Sequence, residues 1–172
     1  MSNQPEVYPV PGEFPGRLFI MPAPSAVHLR SDIQYYRSLG IDTVISMLDI
    51  DEAKMLSLDA EAQVCAGLGM DFLNFPIPDF GVPDRGEFRS FAGDLIARLN
   101  AGNSVAVHCR AGIGRSGMLV CCVLGASVGS ALQAIDTVSL ARGVAVPDTP
   151  EQRQFIESVV PDMFDEPDHL RR

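Results

Sequence analysis

One segment, residues 104–128, constrains the fold more than any other part of this chain. It begins with a short run, Ser104–His108, whose two valines and alanine suit a strand that is buried on both faces. A short turn with two glycines follows, and then an apolar stretch of 13 residues, Gly117–Gly129. That stretch is shorter than the roughly 20 residues that a membrane-spanning helix needs. The pattern therefore predicts a buried strand, a tight loop and a helix over Arg115–Val128.

The remaining chain alternates short apolar runs with capped helical segments. Ser31 with Gln34 and Asp84 with Glu87 have the spacing of helix-capping pairs. Strands are predicted at Arg17–Met21, Asp42–Leu48, Phe72–Ile77 and Ser104–His108. Helices are predicted at Ser31–Leu39, Asp59–Leu68, Asp84–Asn100, Arg115–Val128, Ser130–Arg142 and from Thr149 onward. This alternation predicts an α/β fold in which helices flank a central, mostly parallel sheet.

The chain has the length of a single domain with a buried core, at 172 residues. Residues 1–16 carry four prolines and two glycines, which predicts an extended N-terminal arm before the first element. Residues 17–172 are then the folded domain. The first residues show neither the basic region nor the apolar run of a secretory signal, so we expect a cytoplasmic protein.

Charge and cysteine content limit the possible partners. The formal net charge is −9, so the overall field repels nucleic acids and anionic membranes, although a local cluster of donors can still hold a small anion. Two of the four cysteines, Cys121 and Cys122, are adjacent in an apolar run, which favours free thiols in a reducing compartment. We find no pattern of metal ligands and expect no cofactor.

The loop His108–Ser116 carries the chemistry. Its two glycines allow successive N–H groups to point inward, and the helix that follows adds the positive end of its dipole. Cys109 lies in that positive field, which favours the thiolate, and a thiolate beside a bound phosphate is a nucleophile. Arg115 can bind two phosphoryl oxygens, and Ser116 is in place to hydrogen-bond the sulfur. The residues predicted to surround the phosphate are Arg110, Ala111, Gly112, Ile113, Gly114 and Arg115.

With its flanking segments this loop resembles the phosphate-binding loop of the protein tyrosine phosphatase superfamily, in the small dual-specificity branch. The Pro78–Asp84 loop and the later Thr149-Pro150-Glu151-Gln152 segment resemble the cyclin-dependent-kinase-associated phosphatase subgroup. The resemblance extends from about Leu18 to Phe155. It implies a central sheet flanked by helices, and metal-free hydrolysis of phosphomonoesters through a cysteinyl-phosphate intermediate.

Cleavage of a phosphate ester also requires a proton donor for the leaving oxygen. Two acids lie in the proline-rich loop, Asp79 and Asp84. Asp84 is explained as a cap for the following helix, whereas Asp79 has no such explanation. Asp79 also precedes Cys109 by the interval at which the family places its acid. We therefore expect Asp79 to be the general acid, with Asp84 as the alternative.

The resemblance assigns supporting roles to two further residues. In family members a histidine at the position of His108 supports the loop and tunes the thiolate. A glutamine near Gln152 positions the hydrolytic water in related enzymes, but Gln152 also has the spacing of a capping partner for Thr149, and both interpretations stand. Whether Cys65, Cys121 or Cys122 takes part in reversible oxidation of Cys109 stays open.

Several alternatives concern the activity itself. We expect a protein phosphatase that acts on phosphotyrosine, either alone or together with phosphoserine and phosphothreonine, because Arg110 is the only added cation in the loop. The same chemistry on an inositol phosphate, a phosphoinositide, an RNA 5′-phosphate or a phosphoglucan is an alternative. A phosphate-binding module without catalysis and a rhodanese-like sulfur transferase are others. The sequence indicates neither the physiological substrate nor the oligomeric state.

Overall fold

Five strands form one sheet in the computed structural model, which describes residues 3–164. They are β1 (Tyr8–Val10), β2 (Leu18–Met21), β3 (Thr43–Ser46), β4 (Asp71–Asn74) and β5 (Val105–His108). Across the sheet they follow the order β1-β2-β5-β3-β4. The pair β1–β2 is antiparallel and the other three pairs are parallel. Strand β5 lies at the centre, which agrees with its apolar sequence and its burial along the whole length.

The helices cover both faces of this sheet. They are α1 (Leu29–Ser38), α2 (Ile50–Met55), α3 (Glu61–Gly67), α4 (Arg85–Asn100), α5 (Arg115–Val128), α6 (Ala131–Arg142) and α7 (Pro150–Phe164). Alternate strand residues enter two separate cores: Val105 and Val107 pack with helices α4 to α7, whereas Ala106 packs with helices α1 and α3. This is the α/β architecture that the sequence predicts, and the prediction is confirmed.

Helix α5 explains the apolar run. Its residues from Arg115 to Gly125 are buried, because the helix crosses the core between β5 and the helices α6 and α7. The loop that joins β5 to α5 lies at the carboxyl edge of the parallel strands, which is where α/β sheets bind ligands.

Several predicted boundaries differ from the structure. Helix α1 begins at Leu29 rather than Ser31, and the Ser31 hydroxyl donates to the His28 carbonyl at 2.9 Å instead of capping the helix. Helix α3 begins at Glu61 rather than Asp59. Strand β4 ends at Asn74 rather than Ile77, because Pro76 has no N–H to continue the ladder. A local polar contact of Ser31 accounts for the start of α1, and Pro76 accounts for the end of β4.

Two elements were not predicted at all. Strand β1 lies inside the segment 1–16, where Tyr8–Val10 pairs with β2, so the first element begins within the predicted arm. Helix α2 is only 6 residues long and carries a single capping signal, Asp49, whose carboxylate accepts from the Glu52 N–H at 2.8 Å. Within residues 3–164, every helix is too short or too polar to cross a membrane.

Candidate active site

The loop between β5 and α5 requires glycine where the sequence has it. Gly112 has a φ of +73°, and a Cβ there would lie 2.5 Å from the backbone carbonyl of Met21. A Cβ at Gly114 would lie 2.6 Å from an oxygen of the Asp148 carboxylate. A larger residue at Gly112 would thus displace the backbone at the end of strand β2, and one at Gly114 would displace the Asp148 side chain. The loop is held close to both, and it curls around Cys109.

Cys109 is 3% exposed and begins this loop. Its sulfur lies 3.1 Å from the Ser116 hydroxyl oxygen, as the sequence predicts. Burial alone would raise the pKa of the Cys109 thiol. Hydrogen bonds from the Ser116 hydroxyl and from the N–H groups of Ser116, Ile113 and Gly112 outweigh burial, so the pKa of this thiol is lowered.

The other three cysteines lie in the opposite environment. Burial raises the pKa of Cys65 and of Cys121 to about 12, and it raises the pKa of Cys122 far above its usual range. All three are free and fully buried in the hydrophobic cores. Among the four thiols, only Cys109 has the electrostatic surroundings of a nucleophile.

Arg115 is held by a residue that sequence reasoning missed. Its two terminal nitrogens donate to the two carboxylate oxygens of Glu52 at 2.5 and 2.8 Å, and one of them also donates to the Ile77 carbonyl at 3.0 Å. Arg115 is 1% exposed and the Glu52 side chain 7%. This buried two-point pairing fixes the plane of the guanidinium, as two parallel N–H···O bonds do.

Asp79 lies opposite this guanidinium. Its carboxylate is 3.2 Å from Nη2 of Arg115, and its side chain is 44% exposed. The two residues share a pocket of about 270 Å³ with Cys109 and with Phe80, Arg110, Ala111 and Asp148. Asp84 lies outside that pocket and caps α4, where its carboxylate accepts from the Glu87 N–H at 2.9 Å. The structure thus brings Asp79, and not Asp84, to the cysteine.

Asp148 is a second acid of the pocket that sequence reasoning missed. Partial burial and the Asp79 carboxylate raise the pKa of Asp148, and the positive charge of Arg115 opposes them. The residue directly precedes Thr149, the predicted cap of α7. An acid before a helix cap is a common surface pattern, so the sequence gives no signal that it faces the pocket.

Gln152 is fully buried and connects two segments of the site. Its N–H donates to the Thr149 hydroxyl at 3.1 Å, and its side-chain oxygen accepts from the N–H groups of Asp148 and Thr149 at 3.1 and 3.3 Å. That is the geometry of a capping box. Its amide nitrogen also donates to the Gly81 carbonyl at 3.3 Å, which ties the loop of Asp79 to α7. Its part in positioning water stays a prediction.

His108 lies beneath the loop and is fully buried. One ring nitrogen is 2.6 Å from the Glu61 carboxylate and the other is 2.9 Å from the Cys109 carbonyl. Burial alone would lower the pKa of His108, yet the charge and hydrogen bond of Glu61 outweigh it and raise the pKa. The pair supports the loop from below, and Glu61 is a third acid that sequence reasoning missed.

The fold is that of the tyrosine-phosphatase-like cysteine phosphatases. Residues 21–127, more than half of the chain, match the Tc-R-P family, described as "Polymorphic toxin system, DSP-PTPase phosphatase". The chain belongs to that family.

Individual relatives agree with the predicted resemblance. Mouse cyclin-dependent kinase inhibitor 3 is 27% identical over 130 residues, which cover 75% of this chain and 62% of that protein. The chain thus spans less than two thirds of the length of the curated relatives it matches. Kinase associated phosphatase with its catalytic-site cysteine replaced by serine has a TM-score of 0.86 at 18% identity, over 97% of this chain and all of that one. Tk-PTP in the active form has a TM-score of 0.71 at 25% identity, over 84% of this chain and 92% of that chain.

Proposed function

We propose that this chain hydrolyses phosphomonoesters through a cysteinyl-phosphate formed on Cys109. The observation that carries the proposal is the surroundings of that sulfur. Loop N–H groups and the Ser116 hydroxyl surround it and lower its pKa, and Arg115 and Asp79 share its pocket. Such an arrangement binds an anion and presents a nucleophile to it.

In the first step the Cys109 thiolate attacks phosphorus and the bond to the leaving oxygen breaks. The loop N–H groups and Arg115 bind the three remaining phosphoryl oxygens, whose charge they stabilise. Glu52 holds Arg115 in place at 2.5 and 2.8 Å, so little reorganisation is needed as the reaction proceeds. Asp79 gives its proton to the leaving oxygen and becomes a carboxylate.

In the second step water attacks the cysteinyl-phosphate and the P–S bond breaks. The proton of the water passes to the Asp79 carboxylate, which restores the acid for the next cycle. The departing thiolate keeps its hydrogen bond from Ser116, whose hydroxyl oxygen lies 3.1 Å from the sulfur. That bond stabilises the sulfur as an anion and so makes it a better leaving group.

For the substrate we propose a phosphorylated protein, with phosphotyrosine first and phosphoserine or phosphothreonine second. The support is that the loop has uncharged Ala111 and Ile113 beside its glycines, and that Arg110 is the only cation among residues 110–114. Members directed at inositol phosphates or lipids commonly carry lysines there. The net charge of −9 also disfavours RNA.

The experiment is a substrate panel measured in excess chelator. It compares phosphotyrosine, phosphoserine and phosphothreonine peptides with inositol phosphates, a phosphoinositide, a phosphoglucan and an RNA 5′-phosphate. We expect the highest kcat/KM on the phosphotyrosine peptide. A non-protein phosphoester with a higher kcat/KM than every peptide would refute the substrate assignment and leave the chemistry intact.

Two thiol variants test the chemistry. Cys109→Ser should abolish turnover, and acid-quenched wild type should carry one phosphoryl group on Cys109. Cys121→Ser is the matched control, because it makes the same atomic change at a fully buried thiol in the core of α5 and should keep its activity. Hydrolysis by a clean Cys109→Ser preparation would rule out the thiolate mechanism.

A further inference from the structure

Arg142, the last residue of α6, makes contacts that the mechanism above does not use. Its Nε donates to the Gly112 carbonyl at 3.1 Å and its Nη2 donates to the Ala111 carbonyl at 3.0 Å. A cation at a helix C-terminus is ordinarily explained by the helix dipole. Arg142 instead donates to two carbonyls of the phosphate loop, which lie 30 and 31 residues earlier in the chain.

The geometry of the peptide bond gives these two contacts a consequence. The Ala111 carbonyl and the Gly112 N–H belong to one planar trans peptide, and the Gly112 carbonyl and the Ile113 N–H belong to the next. In such a unit the C=O and the N–H point in opposite directions. The Gly112 and Ile113 N–H groups are also two of the donors to the Cys109 sulfur. Arg142 therefore binds the carbonyl oxygens of the two peptide units whose N–H groups point toward the Cys109 sulfur.

We propose that Arg142 is a positioning residue for the phosphate loop, which aims the N–H groups of Gly112 and Ile113 at the Cys109 sulfur. A guanidinium on a carbonyl also draws electron density toward the oxygen, so the N–H of the same peptide becomes a stronger donor. The proposal rests on the proposed role of Cys109 as the nucleophile.

Tyr8 of strand β1 packs against the Arg142 guanidinium. The guanidinium carbon lies 4.3 Å from the centre of the Tyr8 ring, a cation–π distance. Tyr8 lies on the antiparallel edge strand. The N-terminal segment is therefore connected to the phosphate loop through Arg142, which contacts both. The ring covers one face of the guanidinium and restricts its movement. Truncating Tyr8 should therefore weaken the effect of Arg142 without removing it.

Other charged groups also act on Cys109. Those that surround it are Arg115, the His108–Glu61 pair and the pocket residues Asp79, Arg110 and Asp148. Each keeps its contacts in a variant of Arg142, since none of them is bonded to that side chain. A change in the titration of Cys109 in such a variant therefore comes from Arg142 itself, through the two peptide units or through the loss of its charge, and a neutral donor at position 142 separates these two effects.

The test is the pH dependence of alkylation at Cys109, measured with iodoacetamide and mass spectrometry of the modified peptide. In Arg142→Met we expect the midpoint to rise by about one pH unit, because two donors to the thiolate are weakened and one unit corresponds to roughly one hydrogen bond to a charged group. At a pH below both midpoints the kcat/KM should fall about tenfold, since in that range each unit changes the thiolate fraction tenfold. Arg142→Gln should restore part of the shift, since its neutral amide can still donate to one carbonyl, whereas a pure charge effect would leave it shifted as far as Arg142→Met.

Arg98→Met is the matched control. Arg98 joins α4 to the starts of β3 and β4, through Asp71 at 2.9 Å and Thr43 at 3.3 Å, at the sheet edge away from the loop. It should lower the stability to urea and leave the alkylation midpoint unchanged. If both arginine variants have the wild-type midpoint, or if Arg98→Met shifts it as far as Arg142→Met does, the proposal is wrong. Activity in Cys109→Ser would instead refute the proposed function, because the alkylation midpoint does not depend on turnover.

Discussion

Replacing Glu52 by Gln should cost both stability and activity, because Glu52 is the buried partner of Arg115, the proposed phosphate-binding arginine. The Arg115 side chain is 1% exposed and that of Glu52 is 7% exposed, so the pair lies in a region of low dielectric. Removing one member of such a pair typically costs about 3–5 kcal/mol, since the other charge is left buried without a partner. Arg115 keeps the Ile77 carbonyl at 3.0 Å and Asp79 at 3.2 Å, which favours the lower end, about 3 kcal/mol.

The loss is measurable by urea unfolding. With an m-value of about 2 kcal/mol/M, a destabilisation of about 3 kcal/mol moves the midpoint down by about 1.5 M. The control is Glu157→Gln, which removes an exposed pair with Arg153 whose side chains are 50% and 46% exposed. An exposed pair of this kind contributes about 0.5 kcal/mol or less, so this midpoint should barely move.

Activity tests the second part of the reasoning. The amide nitrogen that Glu52→Gln introduces would face a guanidinium N–H, and Arg115 would turn to avoid it. A displacement of about 1 Å from the productive geometry can cost roughly 10²-fold in rate. We therefore expect kcat/KM to fall by about that factor, in folded enzyme at low temperature. The reasoning is wrong if Glu52→Gln has the same urea midpoint as the Glu157→Gln control and keeps kcat/KM within twofold of wild type.

Three further predictions follow from the site. Asp79→Asn should lower kcat by about 10²–10⁴-fold for alkyl phosphates and phosphotyrosine, and little for esters of acidic phenols that depart without a proton. Asp84→Asn should instead cost about 1 kcal/mol or less, since Asn also caps helices; leaving-group dependence in this variant alone would show that the acid is misassigned. Activity should persist in excess chelator and be lost with vanadate, and a strict requirement for added magnesium or zinc would contradict the mechanism. Because folding raises the pKa of His108, protonated His108 should stabilise the fold at pH values below 6.5, its pKa in the unfolded chain. This stabilisation should be lost as the pH rises through the pKa of His108 in the folded state. In Cys109→Ser, where the Cys109 thiol no longer titrates, the free energy of unfolding measured with urea should fall as the pH rises through this range. Adding His108→Gln should remove this dependence on pH.

Local physics accounts for what the sequence predicted correctly. The strand, glycine loop and apolar helix around Cys109 follow one another along the chain, so hydrophobic pattern and turn chemistry are sufficient to predict them. Asp84 is likewise a cap because the N–H that it binds is three residues away. The alternation of such local elements predicts an α/β fold, since each parallel strand pair needs a crossover.

The partners of the site residues were not predictable in this way. Glu52 and Arg115 are 63 residues apart, and Glu61 and His108 are 47 residues apart. In the structure both acids lie in the first turn of a short helix, a place where an exposed acid would be explained by the helix dipole alone. Nothing in their spacing distinguishes a buried carboxylate from a solvated one.

The amino-acid order along residues 104–128 is therefore enough to specify the chemical groups and the local path of the chain at the Cys109 sulfur. Which charges face each other depends on the packed fold, because the order of parallel strands brings distant segments to one edge of the sheet. There Asp148 meets Asp79 across the pocket, and Arg142 reaches behind the loop. A charge is stabilised or destabilised by whatever lies within a few ångströms of it in space, and that neighbourhood exists only once the chain has packed.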